Sequence, residues 1–129
     1  MLKQIAGKKI LVVDDEEYLV KLLKSRLLIH RFEVITAAGS KEGLERVEQE
    51  KPDLIVVDVL MPEMNGAEFV KKIRQTYSSE QIPVIVISAQ PDTKSLFSEN
   101  EISAFVNKPF QPEDFIHQIK KALHRTTEA

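Results

Sequence analysis

Cysteine is absent from the 129-residue chain, which excludes disulfides, thiolate metal sites and a cysteine nucleophile. Glycine is scarce. Gly7, Gly39, Gly43 and Gly66 are the only four, and they form neither a GxGxxG turn nor a P-loop to cradle phosphates, so a Rossmann-like or flavodoxin-like cofactor enzyme is disfavoured. No apolar run approaches the length of a membrane span, and Met1 to Lys9 carries basic residues without the apolar stretch of a signal peptide. Neither sign of charge dominates: 18 basic and 20 acidic residues leave a net charge of -2, which gives no footprint for nucleic acid or an anionic membrane. Internal repeats and low-complexity linkers are also missing. The expectation is a single soluble, cytoplasmic domain spanning 1–129, with one hydrophobic core.

What the chain does have is a set of short aliphatic runs, each followed by polar or acidic residues. The central one is Leu54 to Val57, behind the breaker Pro52. It is too solidly apolar to leave one face in water, so it reads as a central parallel strand with Asp58 at its C-terminal end. Pro62, Asn65 and Gly66 then form a loop. Ile10 to Val13 reads as a first strand ending at Asp14 and Asp15, Phe32 to Ala37 as a second, Pro83 to Ile87 as a fourth ending at Ser88 and Ala89, and Ala104 to Val106 as a fifth before Asn107, Lys108 and Pro109.

Between them lie helical patterns. Leu19, Leu22, Leu23 and Leu27 define the first, with Glu16 and Glu17 in its first turn. Ser40 is expected to cap a second, running to Glu50 and loosely held because Leu44 and Val47 are its only strong apolar contacts. Phe69, Val70, Ile73 and Tyr77 mark the third. From Pro91 to Ser103 the pattern thins and predicts a short or irregular fourth helix. Pro112, Phe115, Ile116, Ile119, Ala122 and Leu123 define the last, with Thr126 to Ala129 as a tail. Alternating strands and helices imply an α/β fold: a doubly wound, five-stranded parallel sheet in flavodoxin-like order 2-1-3-4-5, with about five helices.

That order makes the first and third strands neighbours, so Asp14, Asp15 and Asp58 converge on one crevice. At about 4 Å each like-charged pair repels by roughly 4 kcal/mol at an effective dielectric near 20. A hard divalent cation relieves this, and Mg²⁺ suits a site of few carboxylates. Lys108 adds a positive charge and Ser88 a hydroxyl, both at strand exits. The set matches phosphoryl transfer, with Asp58 as nucleophile, Asp14 and Asp15 holding the ion and Lys108 pairing with phosphoryl oxygens.

Four pieces of sequence, Val12 to Glu16, Asp58 to Gly66, Ile87 to Ala89 and Phe105 to Phe110, then carry a specific resemblance. In this order they resemble the receiver domain of bacterial two-component response regulators, chemotaxis-regulator-like, over a core of about Lys9 to Leu123. The resemblance implies a phosphorylation-dependent switch rather than an enzyme acting on separate substrates. Asp58 would accept phosphate from a histidine kinase's phosphohistidine, or from small donors such as acetyl phosphate. The resemblance also implies Mg²⁺ on Asp14, Asp15, Asp58 and the Leu60 backbone carbonyl, phosphoryl contacts from Ser88 and Lys108, a rotating aromatic at Phe105, and a cis bond between Lys108 and Pro109. The chain would promote its own phosphoryl transfer and slow aspartyl-phosphate hydrolysis. Its expected partners are a sensor histidine kinase or phosphotransfer protein, and a downstream protein or attached output domain. It would act as a monomer or a weak phosphorylation-dependent dimer. One stretch departs from the family: relatives carry about two more residues between the hydroxyl and the lysine, and often Gly-Ala before the aromatic, where this chain has Glu99 to Ala104.

Each residue also has a plainer role: Asp14 and Asp15 as helix caps, Ser88 as a turn residue, Lys108 as a solvated lysine, Phe105 as a core aromatic. Met61 and Met64 read as packing, and Gly66 as backbone geometry. His30, His117 and His124 share no metal-ligand spacing and read as surface residues. The competing function is a phosphorylation-independent interaction module on the same fold. A hydrolase is disfavoured because the position two after Asp58 is Leu60 rather than an acid.

Overall fold

The computed structural model describes residues 5–128. In order they form strand β1 (Lys9–Val13), helix α1 (Glu17–Ile29), β2 (Glu33–Ala37), α2 (Ser40–Glu50), β3 (Leu54–Asp58), α3 (Gly66–Thr76), β4 (Val84–Ser88), a 3-10 helix (Pro91–Leu96), β5 (Ala104–Asn107) and α4 (Pro112–Glu128). The sheet order is β2-β1-β3-β4-β5, with every neighbouring pair parallel.

The strands are solidly apolar because both faces are covered. Ile10, Val12, Leu54, Val56, Ile85 and Ile87 face Leu23 and Leu27 of α1 and Phe115, Ile116 and Ile119 of α4. The alternate residues Leu11, Val13, Ile55, Val57, Val84 and Val86 face Val47 of α2 and Phe69, Val70 and Ile73 of α3. Pro112 starts α4 with Glu113 and Asp114 in its first turn, where the helix dipole favours anions.

Three expectations are corrected. Ser40 does not cap α2: Gly39 is the cap residue, and Ser40 is the first helical residue, fully buried with an Oγ that makes no hydrogen bond. Nor is α2 held only by Leu44 and Val47. It approaches the sheet through Gly43, where a Cβ would lie 3.0 Å from Phe69 and 3.1 Å from Val13. The tail expected over Thr126 to Ala129 is helical as far as Glu128 instead, since α4 continues to that residue; Ala129 lies outside the described residues. Strand ends differ by a residue, with Ser88 and Asn107 inside β4 and β5 and Phe32 outside β2. His30 is half-buried at the end of α1, 3.9 Å from Glu113. The expected irregular segment is the six-residue 3-10 helix, whose one buried residue is Thr93.

Candidate functional site

The site lies where β1, β3, β4 and β5 end. Register aligns Val13 with Val57, so the chain leaving β1 brings Asp14 and Asp15 beside Asp58. Carboxylate oxygens of Asp14, Asp15 and Asp58 all lie within 4.8 Å of one another. Asp14 and Asp58 are buried, whereas Asp15 is exposed. The loop after β3 folds back through Gly66, whose N–H donates to the Val59 carbonyl at 2.7 Å. A Cβ on Gly66 would sit 2.6 Å from the Asp58 carbonyl oxygen. Glycine is required here by this close approach and not by an unusual φ. Asn65 caps α3 by accepting from the Glu68 N–H at 3.0 Å.

Lys108 reaches into the acidic cluster from β5, its backbone N–H donating to the Ser88 carbonyl at 2.7 Å. Its Nζ is 3.1 Å from Asp58 Oδ2, 3.2 Å from Glu16 Oε1 and 3.8 Å from Asp14 Oδ2. Burial pushes the ammonium's pKa down, but the hydrogen bond to Asp58 and the surrounding carboxylates outweigh this and leave it above its ordinary value. Asp14 moves up to about 6: burial disfavours its charge and Asp58 repels it, more than the Glu16 N–H and Lys108 stabilise it. Asp14 Oδ1 accepts the Glu16 N–H at 2.9 Å, while Oδ2 is buried and accepts no hydrogen bond.

Leu60 is half-exposed and donates its N–H to Asp58 Oδ1 at 3.3 Å. Ser88 is fully buried and its Oγ lies 2.9 Å from Thr93 Oγ1. Phe105 is half-buried on β5, packed on the α2/α3 side of the sheet, in register with Val86. The Lys108–Pro109 bond is cis. Asp14, Asp15, Asp58 and Lys108 are thus brought together, with Ser88 at the neighbouring strand exit and Phe105 farther back along β5. Two participants were missed in the sequence: Glu16, a partner of Lys108, and Thr93, a partner of Ser88. Glu16 was visible only as the third acid of a run, and Thr93 gave no signal.

The model of the response regulator receiver domain family matches residues 10–120. The chain belongs to that family. This receiver domain is 40% identical over 122 residues to the alkaline phosphatase synthesis transcriptional regulatory protein PhoP of Bacillus subtilis (strain 168), covering 93% of this chain and 50% of PhoP. It spans about half the length of the curated relatives it matches. Among solved structures it resembles a CheY-like receiver domain protein from Methanospirillum hungatei JF-1 (TM-score 0.87, 27% identity, 95% of this chain and 98% of that one). It also resembles the response regulator TrrA from Thermotoga maritima, solved in complex with Mg(2+)-BeF (TM-score 0.82, 30% identity, 89% of this chain and 98% of that one). No helix among the described residues is long and apolar enough to cross a membrane.

A divalent cation fits the residues of this receiver domain. Three hard oxygen donors converge, and the Asp14 Oδ2 has no other polar partner at hydrogen-bond distance, a costly arrangement unless a cation takes the lone pairs.

Proposed function

We propose that the chain is one receiver domain, with its core at about residues 9–123, that switches by phosphorylation of Asp58 in a cytoplasmic two-component pathway. The observation that carries this reading is the Lys108 ammonium 3.1 Å from Asp58 within a cluster of three aspartates. An Asp58 carboxylate oxygen attacks the phosphorus of a kinase or phosphotransfer protein's phosphohistidine. The new O–P bond forms as the N–P bond breaks, and the imidazole nitrogen keeps the electron pair and takes a proton. Asp14, Asp15, Asp58 and the Leu60 carbonyl would hold Mg²⁺, which when bound offsets charge on the phosphoryl oxygens. Lys108 pairs with one of those oxygens, exchanging its contact with Asp58 Oδ2 for the phosphoryl group, and Ser88 donates its hydroxyl to another.

The chain is a phosphoacceptor rather than an enzyme with separate substrates. The gained charge shifts its population toward a form that binds a downstream protein or an attached output domain. Incubation with Mg²⁺ and acetyl phosphate is expected to add one phosphoryl mass to the wild-type protein and none to Asp58→Asn. Beryllium fluoride with Mg²⁺ is expected to shift amide resonances around residues 58, 88 and 108 in the wild type alone. No Asp58-dependent response to either reagent refutes the proposal.

A further inference from the structure

Ser88 and Thr93 form a hydroxyl pair outside the acidic cluster. The Gln90 N–H donates to Ser88 Oγ at 3.0 Å, and Thr93 Oγ1 donates to the Gln90 carbonyl at 2.6 Å. The two hydroxyl oxygens lie 2.9 Å apart. Each hydroxyl has one proton. The short contact to the carbonyl takes that of Thr93, so the Ser88 proton is directed to Thr93 Oγ1 or to the Gln90 carbonyl at 3.1 Å. Either way it is engaged within residues 88–93 and is not offered to the Asp58 side. Thr93 is also the one buried residue of the 3-10 helix. Its neighbours Asp92, Lys94, Ser95 and Leu96 are exposed, and short 3-10 helices have poor hydrogen-bond geometry of their own.

We propose that Thr93 is a positioning residue that latches the 3-10 helix to β4 through Ser88, and that a phosphoryl group on Asp58 competes with it for the Ser88 hydroxyl. The inference rests on the phosphorylation reading above. A Ser88 side chain turned toward a phosphoryl oxygen leaves the turn at 90–93 and removes the polar tether of the 3-10 helix. By linkage, whatever loosens the latch favours the phosphorylated form to the same degree. The helix leads through Phe97 into a cleft shared with Phe105, so its release reaches the face on which Phe105 lies.

The test measures binding of beryllium fluoride with Mg²⁺, together with amide exchange, on the full chain. Thr93→Val keeps the shape and removes the hydroxyl. A net hydrogen bond's worth of competition predicts affinity tighter by about threefold to tenfold, with Thr93→Ser restoring the wild-type value. Faster exchange of the Thr93 and Phe97 amides is expected in Thr93→Val without ligand, and in the wild type upon adding beryllium fluoride. A merely structural role for Thr93 weakens or does not change the affinity, and that result overturns the latch while Asp58-dependent binding persists. Thr93→Ala serves the same comparison should valine prevent folding. A wild type with no Asp58-dependent binding at all overturns the functional reading and the latch together.

Discussion

Replacing Asp14 by asparagine removes a charge that the fold itself disfavours. The carboxyl moves from 3.8 to about 6, and at roughly 1.4 kcal/mol per factor of ten in acidity this difference amounts to about 3 kcal/mol of destabilisation when Asp14 is ionised. Asparagine retains an oxygen to accept the Glu16 N–H held at 2.9 Å. Its amide group occupies the place of Oδ2, which has no hydrogen bond, and burying that amide costs about 1 kcal/mol or more. The expected net gain for Asp14→Asn in metal-free buffer near pH 7 is therefore at most about 2 kcal/mol.

The pH dependence gives the sign a second check. Because the folded-state value is raised, the folded protein binds the proton more tightly than the unfolded chain. The wild type keeps this group's full stability below about pH 4 and loses it progressively as pH rises to about 6 and beyond. The advantage of Asp14→Asn should thus be fully present near pH 7 and gone at about pH 4, where only the cost of the buried amide remains and the variant is the less stable protein. Saturating Mg²⁺ reverses the ranking, since it stabilises the wild type by mass action and has lost a ligand in the variant. Urea denaturation of both proteins, in chelator and in Mg²⁺ at the two pH values, measures each term. A variant less stable than wild type in chelator near pH 7, or an advantage independent of pH, refutes the reasoning.

Three further substitutions test the packing at the site and away from it. Gly66→Ala places a methyl 2.6 Å from the Asp58 carbonyl oxygen and 2.8 Å from Val59 Cα, both backbone atoms that cannot yield; a loss of about 2–4 kcal/mol and a disturbed Asp58 are expected by denaturation and acetyl phosphate labelling. Gly43→Ala meets only side-chain atoms, and the gain in helix propensity offsets part of the strain, so it should cost at least about 1 kcal/mol less than Gly66→Ala; an equal cost contradicts the contact geometry. Arg74 donates to the carbonyls of Glu101, Tyr77, Ser78 and Ile82 at 3.0, 3.3, 3.1 and 2.8 Å. Its loss to Ala should cost about 2–4 kcal/mol, with little rescue by Lys, whose ammonium cannot span them.

The sheet and the acidic cluster were legible because both follow from burial and strand periodicity. Five aliphatic strands with both faces covered point to a doubly wound parallel sheet, and the observed order β2-β1-β3-β4-β5 carries Asp14, Asp15, Asp58, Ser88 and Lys108 to one end of it. The packing of α2 through Gly43 was missed because it depends on the absence of a side chain: a count of apolar residues cannot register a helix that packs closely through a bare Cα. Ser40 was misread because the extended backbone of Gly39, φ -170 and ψ 176, starts α2 one residue earlier than side-chain chemistry suggests.

The path of residues 91–103 was illegible for a different reason. Few of its side chains enter the core, so the hydrogen bonds that place it come from outside the segment. Ser88 holds Thr93 at one end, and Arg74 holds the Glu101 carbonyl at the other. A segment anchored by a few polar contacts instead of a buried face has low local stability. One of those anchors is the hydroxyl that stands next to Asp58 at the strand exits. On the phosphorylation reading proposed above, the sparse burial that hides this segment from a sequence pattern also leaves few buried contacts to resist its rearrangement when a charge is added at Asp58.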